Sequence, residues 1–296
     1  MKRDQLPLKP MLHPRNKHRG HYDFKKLIKV NPKLTDYVIE HPYTPGEWTI
    51  NFSDSLAVKE LNRSLLFSHY QLTYWDFPSD QLCPPVPGRA DYIHHLYDLL
   101  KKWGVLEASL SGVDIGIGAN AIYSLIAVKE YGCTMLGTDV SETSLVSAQK
   151  IITENQLSNF LSIRLQLDKG AIFKNVILPG ETYTFSLCNP PFYRSKKEAE
   201  LKNAQKNQNL KLKTARNFAG VSHELWCEGG ELEFIRKMID ESLLVKNQIK
   251  VFSVLVSDKN NLPILKSHCE KNQVKKIAVI EMGQGQKRSR LLVWTF

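Results

Sequence analysis

Asn189, Pro190, Pro191 and Phe192 stand in a row after residues 183–188, whose apolar and β-branched composition predicts a strand. Two prolines fix their own φ and hold the preceding residue extended, so the backbone carbonyls here point in set directions. A side-chain amide oxygen, a rigid carbonyl and an aromatic face can together grip a flat amino-bearing group. Two accepted hydrogen bonds and a stack would hold, for example, the exocyclic amine of a nucleobase. The same residues also suit a plain proline-rich turn that closes a strand, so their neighbours must decide between the two readings.

A second constellation supplies such a neighbour. Asp114-Ile-Gly116-Ile-Gly118 follows a predicted strand over 110–115 and opens a predicted helix over 121–130. Gly116 and Gly118 allow a tight turn and a close approach of backbone to ligand. Asp139 lies twenty-one residues beyond Gly118, at the end of the next strand, where a carboxylate can accept from both hydroxyls of a ribose. The third glycine of the dinucleotide fingerprint is missing, with Asn120 and Ala121 nearby instead. That argues against NAD or FAD and for an adenosyl cofactor without a pyrophosphate. S-adenosylmethionine fits. The plainer reading is a glycine-rich βα turn with Asp139 capping a helix.

The elements that must position these residues alternate. Strands are predicted over 110–115, 134–137, 161–165, 182–188 and 249–256, with helices over 121–130, 141–155, 231–244 and 262–270. Two last strands, 274–281 and 290–296, are separated only by a turn and must pair antiparallel. This is the pattern of an α/β fold: a doubly wound, mostly parallel seven-stranded sheet. Ligands of such sheets lie at the carboxyl ends of the strands, and the usual strand order sets residues 189–192 beside the glycine loop. Upstream, a short strand is predicted at 48–52 and a helix at 57–66. The proline-rich run 83–89 reads as a rigid connector that is neither helix nor central strand, followed by a helix over 90–103. It divides the chain into a small basic N-terminal module, residues 1–82, and a larger domain, residues 83–296.

Charge is concentrated. The chain of 296 residues carries a formal net charge of +10, of which residues 1–30 contribute +7 and residues 194–216 contribute +6, leaving the rest at −3. Two basic blocks suit a polyanion such as nucleic acid better than a merely soluble surface. In the first block Arg15, Lys17 and Arg19 alternate with histidines, and Tyr22 and Phe24 follow, so cations and rings are interleaved. In the second, Lys196, Lys197, Lys202 and Lys206 lie in a basic stretch at about 193–220. No Cys or carboxylate stands at ligand spacing from the histidines, so no metal is expected. Five scattered cysteines without a CxxC pair read as reduced thiols in the cytoplasm. No run of eighteen apolar residues would span a membrane.

Four further motifs carry a resemblance. His13-Pro-Arg-Asn16, Pro85-Val-Pro-Gly-Arg-Ala-Asp-Tyr-Ile-His94, Trp226-Cys-Glu-Gly-Gly-Glu231 and Gly283-Gln-Gly-Gln-Lys-Arg-Ser-Arg290, with Asp-x-Gly-x-Gly and Asn-Pro-Pro-Phe, resemble the RlmF-type 23S ribosomal RNA adenine-N6 methyltransferases. These are class I, Rossmann-like enzymes that use S-adenosylmethionine. The resemblance covers nearly the whole chain. It implies that Asp114, Gly116, Gly118, Asp139 and Asn189 line the cofactor, that Arg89 pairs with its carboxylate, and that Lys169 and Gly170 lie close to it. It further implies that residues 189–192 take the adenine and that 23S ribosomal RNA is the partner. Two other functions fit parts of the pattern. A protein glutamine-N5 methyltransferase has a similar shelf ending in tyrosine, and an RNA-binding protein could retain an inactive methyltransferase fold.

Overall fold

The computed structural model describes residues 12–79, 81–191, 226–284 and 287–296. Phe192 and Lys196, Lys197, Lys202 and Lys206 lie outside them.

The N-terminal part holds helix α1 (Phe24–Val30), a 3-10 turn (Pro32–Tyr37), the strands β1 (Val38–Glu40) and β2 (Trp48–Ile50), and helix α2 (Ser55–Tyr70). Asp23 caps α1 by accepting from Lys26 N, and Asp54 caps α2 by accepting from Leu56 N. Phe24, Leu27, Leu34, Ile50, Ala57, Leu61 and Leu65 close a small core of their own. Further along α2, Leu66 and Tyr70 join Trp75 and Phe77 in the core of the main sheet.

Helix α3 (Val86–Lys102) starts earlier than the sequence suggested. Pro87 sits in its first turn, where no intrahelical partner needs its missing N–H and its fixed φ already suits a helix. The proline-rich connector therefore ends at Pro85, and Arg89 is a helical residue. The main sheet follows: β3 (Ser111–Ile115), α4 (Ile122–Tyr131), β4 (Thr134–Asp139), α5 (Glu142–Glu154), β5 (Leu161–Leu165), β6 (Tyr183–Cys188), α6 (Gly230–Ser242), β7 (Ile249–Val256), α7 (Asn261–Lys271), β8 (Lys276–Gln284) and β9 (Lys287–Thr295). Its seven strands run in the order β5-β4-β3-β6-β7-β9-β8. β9 is antiparallel to both of its neighbours, and the other pairings are parallel. The hairpin strands are longer than the expected 274–281 and 290–296. Gly283 and Gln284 still pair with Arg288 and Lys287, so the described part of the Gly-Gln-rich stretch lies in strand.

One face of the sheet is covered by α3, α4 and α5 through Ile93, Leu96, Leu125, Ala148 and Ile151. The other is covered by α6 and α7 through Ile235, Met238, Leu265 and Cys269, with Phe252 stacked on Trp294. The two central strands, β3 and β6, are buried on both faces, as parallel strands between helical layers must be.

The His13-Pro-Arg-Asn16 stretch docks on α3. Asp91, only 1% exposed, accepts from His13 N at 2.7 Å and from Asn16 Nδ2 at 2.9 Å. The same Asn16 amide donates to the Pro87 carbonyl at 2.9 Å. His13 and His18 are themselves buried. Among the described residues no helix is long and apolar enough to cross a membrane, and no cluster of potential metal ligands is present.

Candidate functional site

β3 ends at Ile115, and the chain turns through Gly116 (φ +74°) and Gly118 (φ +65°), backbone geometry that costs a side-chain-bearing residue strain. Gly116 N and Ile117 N both donate to the Thr138 carbonyl at 2.9 Å. The loop is thereby tied to the end of β4. Asp139 completes the tie: its Oδ2 accepts from Gly118 N at 3.0 Å and its Oδ1 from Ser141 N at 2.8 Å. Ser141 in turn caps α5 by accepting from Ser144 N. The carboxylate thus orders the glycine loop.

Ile117 folds back over β4. A Cβ built on Gly137 would lie 2.1 Å from Ile117 Cδ1 and 3.1 Å from Ile117 Cβ, so any larger residue there must displace Ile117. Gly137→Ala should push the loop off the sheet end, costing about 1–3 kcal/mol by overpacking, and weaken cofactor binding more than a surface change would. Chemical denaturation and calorimetric titration with S-adenosylhomocysteine measure the two effects.

Asp114 lies under the loop, 1% exposed. Its Oδ2 accepts from Ser124 Oγ at 2.7 Å, while its Oδ1 has no partner among the described residues. Burial, with the Asp139 charge adding to it, pushes this carboxyl from 3.8 up to about 7, against the hydrogen bonds from Ser124. A carboxyl raised in the folded state binds its proton there over a range where the unfolded chain has released it. Its contribution to stability is complete below about pH 4 and is lost as pH rises to about 7, at up to about 1.4 kcal/mol per unit. Urea denaturation of wild type between pH 4 and 7 should show this falling component, and Asp114→Asn should flatten it.

The shelf has a structural reason to stand free. β6 stays paired with β3 as far as Cys188 but with β7 only as far as Ser186. Beyond Ser186 the strands part, and Asn189, Pro190 and Pro191 occupy the opening. Asn189 and Pro191 are half-buried and Pro190 is buried. Freed from the ladder, Cys188 N donates to Tyr92 Oη at 3.3 Å. Tyr92 Oη lies 3.0 Å from Ser253 Oγ, which donates to the Ser186 carbonyl at 2.7 Å. A buried relay from α3 and β7 thus fixes the root of the shelf. Burial pushes the Cys188 thiol well up, so it is a packing residue and not a thiolate nucleophile.

Arg89, in the second turn of α3, reaches both the shelf and α4. Its Nη1 donates to Asn189 Oδ1 at 3.1 Å and to Tyr123 Oη, with the guanidinium 5.0 Å from the Tyr123 ring centre. Only 9% of the residue is exposed. Tyr92, one helical turn further along, stacks edge-on against the same Tyr123. Tyr92 and Tyr123 are the site residues that the sequence reading missed. Tyr92 lies in the helix expected over 90–103. Its spacing of three from Arg89, on the same helical face, was the available signal.

The remaining sequence candidates fall elsewhere. Lys169 and Gly170 are exposed in the turn after β5, where Asp168 Oδ1 accepts from Gly170 N at 2.8 Å. Gln166 N donates to the Asp139 carbonyl at 2.8 Å and so holds this turn near the end of β4. Arg15 pairs with Asp98 at 2.6 Å and lies against the rings of Tyr97 and Tyr131. Lys17 pairs with Glu130 and donates to the His69 carbonyl. Arg19 is half-buried, with Nε unpaired among the described residues. Glu231, in the first turn of α6, accepts from Ser257 N, Ser257 Oγ, Asp258 N and Asn261 Nδ2. It therefore anchors the loop that leaves β7.

The doubly wound sheet, with a glycine loop after β3 and an Asn-Pro-Pro shelf after its neighbour β6, has the Rossmann-like methyltransferase architecture. Within that class the chain belongs to the RNA methyltransferase family, whose model matches residues 6–296. It is 47% identical over 288 residues to ribosomal RNA large subunit methyltransferase F of Christiangramia forsetii, covering 96% of this chain and all of that one. It is also 47% identical over 292 residues to the protein of the same name from Escherichia coli O127:H6, covering 97% of this chain and 94% of that one. The human METTL16 catalytic domain in complex with MAT2A 3′UTR hairpin 1 superposes with a TM-score of 0.82 at 30% identity, covering 97% of this chain and 96% of that one. The N-terminal domain of human METTL16 in complex with SAH gives 0.78 at 28% identity, covering 96% of this chain and 98% of that one.

Proposed function

We propose that this protein transfers a methyl group from S-adenosylmethionine to the N6 amine of an adenine in 23S ribosomal RNA, in the cytoplasm. The observation that carries the reading is the meeting of three parts at the carboxyl ends of neighbouring strands of the sheet. The Gly116–Gly118 loop braced by Asp139, the Asn189 amide, and the buried Arg89 between them make a nucleoside site beside an amine acceptor. Full-length relatives named for large-subunit ribosomal RNA support RNA over a protein glutamine as the substrate.

The residues present fit the cofactor. Asp139 would accept from the ribose, the glycine loop would lie against the nucleoside, and Arg89 Nε, buried without a partner among the described residues, would take the carboxylate. When bound there, S-adenosylmethionine supplies an electrophilic methyl group that needs no further activation. The protein's part is position and polarity. An adenine amine is a weak nucleophile because its lone pair is delocalised into the ring. Asn189 Oδ1 and the Pro190 carbonyl each accept one of its N–H groups, which favours a pyramidal nitrogen with its lone pair directed at the methyl donor. Positive charge grows on that nitrogen, so fixed acceptors stabilise the transition state more than the ground state. Phe192 would stack on the base once it is out of its helix, at a cost of a few kcal/mol if it starts paired.

The presentation of the RNA falls to residues 1–82, as a basic module, and to the Lys-rich stretch at about 193–220. Arg15, Lys17 and Arg19 would contribute from the first, although Arg15 and Lys17 already hold acidic partners. Lys196, Lys197, Lys202 and Lys206 would contribute from the second. Incubating the protein with radiolabelled S-adenosylmethionine, unmodified 23S transcript and a release-factor protein tests the reading. Label should enter the RNA. Label in the protein alone would overturn it.

A further inference from the structure

Arg89 is a buried cation, and among the described residues no carboxylate pairs with it. A guanidinium is seldom left this way, because burying a charge without a counter-ion is costly. Its donors are divided. Nη1 is spent on Tyr123 Oη and Asn189 Oδ1. Nε has no partner among the described residues, and Nε and Nη2 form the edge that suits a carboxylate fork. Arg89 also lines the cleft between the start of α3 and the ends of β7, β8 and β9, together with Ser257, Gly283 and Ser289.

The contact to Asn189 has two consequences. A guanidinium only donates, so it pins the oxygen end of the carboxamide, and never the NH2 end, toward itself. It also puts a positive charge, paired with no carboxylate among the described residues, behind the oxygen that must receive an N–H from the target amine. That amine is an electropositive group, and it becomes more so as the methyl group is transferred. An anion on the free edge of Arg89 cancels the charge and leaves the pinning intact.

We propose that Arg89 couples the two halves of the site, so that a cofactor bearing a carboxylate and the target adenine bind cooperatively through Arg89 and Asn189. This rests on the functional reading above. What it adds is that the cofactor's amino-acid tail, remote from the methyl group, sets the acceptor that receives the base. The target base is then held poorly by protein without cofactor, which limits unproductive occupation of the shelf.

Because coupling is reciprocal, it is measurable on the small ligand, where the large phosphate contribution to RNA binding cancels. The experiment is calorimetric titration of S-adenosylhomocysteine, and of its decarboxylated analogue, into the full protein with and without saturating unmodified 23S transcript. The transcript should tighten S-adenosylhomocysteine about tenfold or more, equivalent to about 1.4 kcal/mol, and leave the analogue nearly unchanged. The tightening should vanish in Asn189→Ala, and it should shrink in Arg89→Lys, which keeps the charge but offers one point donor in place of a fork. Melting curves of both variants confirm that they are folded. Equal tightening of both ligands, or full tightening in Asn189→Ala, overturns the coupling while leaving the functional reading in place. Failure of S-adenosylhomocysteine to bind at all overturns the functional reading, and the proposal with it.

Discussion

Asn189→Ala should abolish methyl transfer, lowering kcat at least about 10²–10³-fold, the usual loss when one preorganised polar contact to developing charge is removed. Cofactor affinity measured without RNA should change by no more than roughly threefold, since the glycine loop, Asp139 and the Nε edge of Arg89 are untouched. Folding should also survive. Asn189 is half-buried at the mouth of the β6–β7 opening, and the root of the shelf is held separately by Tyr92 through Cys188 N. Single-turnover kinetics together with calorimetric titration separate the two quantities. Parallel loss of transfer and cofactor binding would show that the residue belongs to the cofactor pocket and not to the acceptor for the base.

Asp139→Ala should do the reverse damage. It removes the acceptor for Gly118 N and Ser141 N, two bonds to a charged group, each worth about 1.5–3 kcal/mol. Water can recover part of this at the carboxyl end of β4, so a loss of about 2–4 kcal/mol in unfolding free energy is expected. The glycine loop then loses its brace and the ribose loses its acceptor, and cofactor affinity should fall by two orders of magnitude or more, as for the loss of two charge-assisted contacts. Asp139→Asn, which retains one carbonyl oxygen, should be intermediate in both readouts. Urea denaturation and titration with S-adenosylhomocysteine decide. A variant as stable as wild type would mean that the contacts to Gly118 and Ser141 do not brace the loop.

The parts of the site that were legible in the sequence are those in which neighbours in the chain do the work. The glycines of the βα turn, Asp139 at the next strand end and the Asn-Pro-Pro shelf each announce themselves because strand ends, turns and prolines constrain local geometry. The mostly parallel sheet followed from alternation and its last antiparallel pair from the short link between the two strands, while the place of β9 between β7 and β8 did not; the pairing of β3 with β6 set the shelf beside the glycine loop.

What was not legible is the tertiary part. Arg89 and Asn189 stand a hundred residues apart, and Arg89 and Tyr123 thirty-four. No local spacing reveals that one helix braces the shelf from behind. The His13-Pro-Arg-Asn16 stretch is a related case. Its cations and rings read as an RNA-contacting arm, yet His13 and Asn16 are committed to the buried Asp91, and Arg15 to Asp98. A buried carboxylate must be satisfied by partners, and composition does not show which surface of the chain supplies them. The proline-rich connector was overextended for a local reason: proline disrupts a helix interior but not its first turn, and Pro87 occupies the first turn of α3.

The central claim is that an adenine N6 amine of 23S ribosomal RNA accepts the methyl group. Mass spectrometry of nucleosides from unmodified 23S transcript, after incubation with the full protein and S-adenosylmethionine, tests it most directly. N6-methyladenosine should approach one per RNA molecule and be absent with Asn189→Ala. A methyl group found on another base or on ribose, or N6-methyladenosine formed equally by the Asn189 variant, would contradict it.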